Sequence, residues 1–551
     1  MYNRRSVSMK YNRWYLVTVI ILVLAMGTGC ASKAVKNNVA WETEKISQNG
    51  SESGNEEAGQ SMYSAKPDSG SAETDTIYYE DNYEDEYYNY NSEEYNSVEE
   101  TGFQKVFNRP LSTFSIDVDT ASYSNVRRMI NDGGWVEPDA VRIEELLNYF
   151  QYNYKMPEGN TPFSVNVEYS DCPWNDEAKL MLVGLQAKDV NMEKLPKSNL
   201  VFLLDVSGSM DEPDKLPLLI KAFTMLVAGL SESDRVSIVT YAGEEAVVLE
   251  GARGNETMKI ISALENLEAG GGTAGSAGIE KAYELAEEYF IKGGNNRVIL
   301  ATDGDLNVGL TSEEELTGLI EEKRKAGVFL SVLGFGTGNI KDNNMEALAD
   351  NGNGNYAYID SELEAKKVLV EELGGTLFTV AKDVKIQVEF NPEEVESYRL
   401  IGYDNRRLED QDFEDDLKDA GEVGAGHRVT ALYEILPTDG EGTGSRSLKY
   451  QATSVLSSDE IATINLRYKE PDGDTSKLLT IPVSNEIYSS KMPDNLTFAS
   501  SVAAFGMLLT ESDYKGSADY NMVLTMLDRL DLKKDAYKEE FRLLVHKMKA
   551  Y

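Results

Sequence analysis

Histidine and cysteine are almost missing from this sequence, with two of each among 551 residues. Cys30 lies near the start and Cys172 stands alone in the body, so the mature chain forms no intramolecular disulfide. Its stability must come from core burial, for which the length is ample. Paired His or Cys ligands for zinc are lacking. So is a base for serine-hydrolase chemistry: His427 and His546 both fall outside the stretch that reads as an α/β unit, and Ser207 has no Gly-x-Ser-x-Gly elbow. Basic charge is short as well. Against 94 Asp and Glu there are 53 Lys and Arg, a formal net charge of -41. Phosphate contacts need clustered cations, so no nucleic acid is expected as a partner. The same field repels anionic lipid headgroups and enriches cations near the surface.

What is present begins with a basic start, Arg4, Arg5, Lys10 and Arg13, followed by the apolar run Leu16 to Met26. That run is too short for a permanent membrane helix, and residues 1–30 read as a secretory signal. Gly27-Thr28-Gly29-Cys30 closes it. A cysteine directly after small residues resembles the lipobox of bacterial lipoproteins, with Gly27 where that pattern usually has Leu. The resemblance implies lipidation of Cys30 and a chain anchored to the cell membrane, extracytoplasmic, at the cell surface or in the periplasm. Two or more acyl chains make a stable anchor where one is marginal. Residues 31–102 are rich in Glu, Asp, Ser, Asn and Gly, with tyrosines interleaved among carboxylates from Tyr78 to Tyr88. They read as a disordered, acidic, Tyr-rich linker acting as a self-repelling spacer. The alternative is a sticky tether for cell-wall polymer or a basic partner.

Residues 103–160 form an N-terminal extension with a helix over 138–150, opened by Pro138. Two alternating segments within 161–195, Phe163 to Tyr169 and Lys179 to Leu185, read as strands that join a later β-sandwich. Residues 196–380 have the rhythm of a parallel sheet. Asn199 to Leu204 is a continuous apolar run, as buried parallel strands are. Leu216, Leu219, Phe223, Leu226 and Leu230 make one helix stripe. Strands are expected at Arg235 to Tyr241, Arg297 to Ala301 and Val328 to Phe335, with helices around Ile279 and Leu316. A final helix is expected from about Lys366 to Leu377. This alternation predicts an α/β, doubly wound, Rossmann-like fold with helices on both sheet faces. Over residues 381–490 the helices between strands disappear. Val384 to Phe390, Arg428 to Ile435, Leu448 to Val455, Ile461 to Tyr468 and Lys477 to Val483 predict a flanking β-sandwich there. Residues 491–551 read as a closing helical region.

The chemistry concentrates in Asp205-Val206-Ser207-Gly208-Ser209, in a loop outside the carboxyl end of the first parallel strand, where open α/β sheets place ligands. Alternation lets Asp205, Ser207 and Ser209 face one point. Two further strand-end loops add Thr273 and Asp303. Five hard oxygen donors suit Mg²⁺ or Mn²⁺, or Ca²⁺. Three neutral hydroxyls and only two carboxylates leave such a cation short of negative charge, so an outside carboxylate can complete its shell.

These residues resemble the metal-ion-dependent adhesion site of von Willebrand factor A domains. The resemblance implies direct metal contacts from Ser207 and Ser209, and from Thr273 in the ligand-competent form, with Asp205 and Asp303 acting largely through water. It also implies that the metal loops and the final helix shift on ligand binding. Phe114 to Tyr123, Val141 to Glu145, Cys172-Pro173-Trp174 and Leu496 to Leu509 resemble bacterial YfbK-like proteins, over roughly residues 106–551. The function expected is metal-dependent protein binding of an adhesion type, toward a protein or polymer ligand that offers a carboxylate. A scaffold for assembly of an envelope complex is the alternative. A phosphatase-like hydrolase using Asp117 or Asp119 is a weaker one, because Ala121 stands where such enzymes need a hydroxyl residue. Capping of the helix around Val126 by Asp119 or Thr120 accounts for that motif instead, Cys172 reads as packing beside Trp174, and no enzyme activity is expected.

Overall fold

The computed structural model describes residues 93–551, apart from 134, 160, 190–195, 243–245, 271–275, 305–312, 339, 373–377, 419, 439–455, 457 and 472. The expected signal, Cys30 and most of the expected linker lie outside the described residues. Among those described, no helix is long and apolar enough to cross a membrane.

The first elements are β1 (Gln104–Lys105), β2 (Leu111–Ser115), α1 (Ala121–Asp132), α2 (Ile143–Asn148) and the hairpin strands β3 (Phe163–Asp171) and β4 (Lys179–Ala187). The α/β unit then opens with β5 (Ser198–Asp205), followed by α3 (Leu216–Val227), β6 (Arg235–Tyr241), β7 (Ala246–Arg253), α4 (Thr257–Glu265) and α5 (Ser276–Glu288). It continues through β8 (Asn295–Thr302), α6 (Glu313–Lys325), β9 (Val328–Phe335), α7 (Asp342–Asn351), β10 (Tyr356–Ile359) and α8 (Glu362–Lys366). Its sheet runs β10-β9-β8-β5-β6-β7, all neighbours parallel except the edge strand β7. β5 and β8 are buried along their whole length, which is why β5 reads as a continuous apolar run. Leu216, Leu219, Phe223 and Leu226 of α3 face one apolar core, together with Ile260 and Leu264 of α4. Ile279 and Tyr283 of α5, Ile320 of α6 and Met345 of α7 face another. The doubly wound arrangement expected from the alternation is therefore present. The last helix starts earlier than its apolar spacing suggested, at Glu362. It widens into a π turn over Lys367–Glu371, where Glu372 N donates to Lys367 O at 2.8 Å.

The chain next forms β11 (Thr379–Phe390), β12 (Val395–Ile401), β13 (Val423–Gly424), β14 (Arg428–Pro437), β15 (Glu460–Lys469) and β16 (Ser476–Ser484). Two antiparallel sheets result. One runs β1-β12-β14-β4-β3; the other runs β13-β11-β15-β16, with β2 also paired to β11. The predicted strand Leu448 to Val455 lies outside the described residues. β3 and β4 join the sandwich through the β4–β14 ladder, and β1 and β2, from further upstream, join it through β12 and β11. The helices of that upstream region go elsewhere. With α9 (Asp494–Leu509), α10 (Tyr520–Leu527) and α11 (Ala536–Ala550) they enclose an aromatic core in which Phe150, Phe498 and Phe541 meet edge to face. Cys172 and Trp174 are buried in it.

The capping role expected ahead of α1 is not what the structure shows. Thr120 makes no side-chain cap, and Ser122 N donates instead to Glu145 Oε2 at 2.8 Å. Asp119 Oδ1 accepts from Tyr356 N at 2.9 Å and Asp117 Oδ2 from Arg406 Nε at 3.2 Å. Both carboxylates are buried and serve tertiary contacts, which a local motif reading could not see.

Candidate metal centre

Asp205 is the last residue of β5 and is fully buried. Its Oδ1 accepts from Ser207 N at 2.9 Å, and its Oδ2 from Tyr241 OH at 3.2 Å and Thr302 Oγ1 at 3.3 Å. Tyr241 and Thr302 sit on the strands flanking β5, so the sheet itself orients the carboxylate. The backbone then turns tightly, with Met210 N donating to Ser207 O at 3.0 Å. This turn brings Ser207 Oγ to 2.9 Å from Ser209 Oγ. Ser207 is buried and Ser209 exposed, so the pair spans from the interior to solvent.

Asp303 follows β8 and is fully buried. Its charge reaches Asp205: burial first, with Asp303 adding to it, pushes the Asp205 carboxyl up to about 6 against the pull of its hydrogen bonds. Asp303 Oδ2 also receives the ammonium of Lys215, at 2.9 Å. Thr273 lies outside the described residues. The chain enters its loop beside the site, since Gly270 N donates to Val206 O at 2.8 Å.

Four of the five expected donors, Asp205, Ser207, Ser209 and Asp303, thus stand on adjoining loops at one end of the sheet. Their oxygens fit a hard divalent cation. Among the described residues no group of three or more His, Cys, Asp or Glu could hold a metal, so a centre here depends on the hydroxyls. Sequence reasoning missed Tyr241, Thr302 and Lys215. Register could have found the first, since Tyr241 pairs directly with Asp205 across β5 and β6. Thr302 is the neighbour of an anticipated residue. Lys215 carried only a faint signal, a cation at the start of a helix.

The von Willebrand factor type A domain model matches residues 199–372, and a further von Willebrand factor model matches residues 89–182. The model for the C-terminal part of the uncharacterized protein YfbK matches residues 375–551. The uncharacterized protein YfbK of Escherichia coli is 41% identical over 440 residues, covering 78% of this chain and 76% of that one. The uncharacterized protein sll0103 of Synechocystis is 30% identical over 186 residues, 33% of this chain and 42% of its own. Among solved structures, a von Willebrand factor type A protein from Catenulispora acidiphila aligns with a TM-score of 0.41 at 14% identity, over 72% of this chain and 91% of that one. With a von Willebrand factor A domain at its centre and a relative of this similarity along most of its length, the chain belongs to the YfbK family.

Proposed function

We propose that the chain is a metal-dependent protein-binding module that captures an acidic group of its partner. Ser207 and Ser209, with Asp205 and Asp303 beside them and Thr273 as the fifth donor expected from the sequence, would hold Mg²⁺, or Mn²⁺ or Ca²⁺. The observation that carries this reading is the serine pair. Its 2.9 Å oxygen separation equals the edge of an octahedral shell, about 3 Å when ligands lie about 2.1 Å from the centre. A cation bound there supplies an open coordination position for a carboxylate.

The chain's own residues prepare that position. Three hydrogen bonds hold Asp205 in one orientation, so its own carboxylate need not turn when a cation arrives. Ser209 faces solvent, where a partner approaches. The sequence order of basic start, apolar run and Cys30 supports a lipid-anchored, extracytoplasmic setting. A non-enzymatic role is supported by the burial of Asp117 and Asp119 in contacts with Arg406.

The test is isothermal titration of the full-length protein with Mg²⁺ and Mn²⁺. The Ser209→Ala/Asp303→Ala double variant should lose binding in both titrations. Equal binding by parent and variant would remove the site from this role.

A further inference from the structure

Lys215 is the residue that caps the start of α3, and its side chain makes no capping hydrogen bond there. That is the unfavourable end of a helix for a cation, because the unpaired N–H groups carry partial positive charge. The preceding loop offers Asp211, Glu212 and Asp214, none of them buried. The ammonium turns inward instead, to Asp303 Oδ2 at 2.9 Å, with the two side chains 8% and 0% exposed. Its stem crosses Gly336. A β-carbon on that residue would lie 2.3 Å from Lys215 Cγ and 2.4 Å from Cε, and its φ of +73° also favours glycine. The fold thus keeps a channel open for a lysine that reaches one of the two carboxylates of the metal centre.

We propose that Lys215 is a built-in counter-charge, competing with the divalent cation for Asp303 and setting how strongly the loaded centre demands an outside anion. This rests on the metal reading above. Asp205 and Asp303 match a divalent ion in formal charge only, and with hydroxyls filling the rest of its shell they leave it short of an anionic ligand. With Lys215 beside them the loaded centre carries an excess positive charge, which an incoming carboxylate removes. Cation alone therefore binds weakly, and cation and acidic partner bind cooperatively. Without the cation, Lys215 offsets much of the cost of burying the Asp303 charge.

Mn²⁺ alone is the probe, titrated into full-length Lys215→Met, Lys215→Gln and Lys215→Arg beside the parent, with thermal melts in chelator and in Mn²⁺. The glutamine variant keeps a hydrogen-bond donor toward Asp303 without charge, guarding against loss of the fold. Met and Gln are expected to tighten Mn²⁺ binding about tenfold or more, since a close like charge has been removed. They should also melt earlier in chelator and gain more from Mn²⁺ than the parent does. Arg should keep the parental affinity. Unchanged or weaker binding by both neutral variants overturns the role of Lys215 and leaves the metal centre standing. Absence of Mn²⁺ binding in parent and variants alike overturns both.

Discussion

Arg127 and Glu364 form a 2.8 Å ion pair from which water is almost wholly excluded on both sides. The same guanidinium reaches Asp360 and, at 3.1 Å, Glu540, while Tyr149 OH donates to Glu364 at 2.7 Å. One side chain on α1 therefore ties the first turn of the A domain's last helix to the C-terminal helix α11. Arg127→Ala leaves these carboxylates without their cation and should cost about 3–5 kcal/mol of stability. Urea unfolding followed by far-UV dichroism checks it; a loss below about 1 kcal/mol would mean that the junction is held by its apolar contacts alone.

Gly184 sits in β4 under the ring of Tyr154, whose hydroxyl pairs with Thr430 Oγ1 at 2.9 Å. A β-carbon on Gly184 would lie 2.3 Å from Tyr154 Cζ. Gly184→Ala should destabilise the protein by about 1–3 kcal/mol, as overpacking does. In a Tyr154→Ala background the same change should be nearly free, and a double-mutant cycle measures that coupling.

Glu346 lies between Arg142, at 3.3 Å, and Arg406, at 2.7 Å. Burial, helped by the charges of Asp117 and Asp342, still lifts its carboxyl from the ordinary 4.5 to about 7. The folded state thus holds this proton more tightly than the unfolded chain. Its contribution to stability is full below about pH 4.5 and is lost as pH rises through about 7, a decline of order 1–3 kcal/mol. Glu346→Gln should flatten this slope in urea midpoints compared at about pH 5 and pH 7.5.

Burial pushes the Cys172 thiol up to about 12. Iodoacetamide at about pH 8 should leave the Cys172 peptide unmodified in the folded protein and label it fully in denaturant, because the thiolate is the reactive form. Peptide mass spectrometry in a Cys30→Ser background isolates the signal.

Local signals made the A domain legible. β5 is buried on both faces and so shows a continuous apolar run, and α3 carries a single stripe. Asp205, Ser207 and Ser209 sit within one short loop, and Asp303 directly follows a readable strand. Tertiary partners are what the sequence hid. The lysine that meets Asp303 lies 88 positions away and looks like any solvent-facing cation. Asp119 looked like a capping residue, yet its carboxylate is taken by the backbone of Tyr356. The exposed edge strand β7, interrupted by Gly251, and the short strands β1 and β2 carry little periodicity of their own. β1 and β2 become strands only because β12 and β11 lie beside them.

That pairing of the earliest strands with much later ones orders the events of biosynthesis. The A domain's sheet is drawn wholly from residues between Ser198 and Ile359, so it can close while the rest of the chain is still being made. β1 and β2 must wait with open edges until β12 and β11 emerge, a long-range closure that is slow and exposed to mispairing. A nascent chain arrested before β11 would carry a finished A-domain sheet beside two strands with nothing to join.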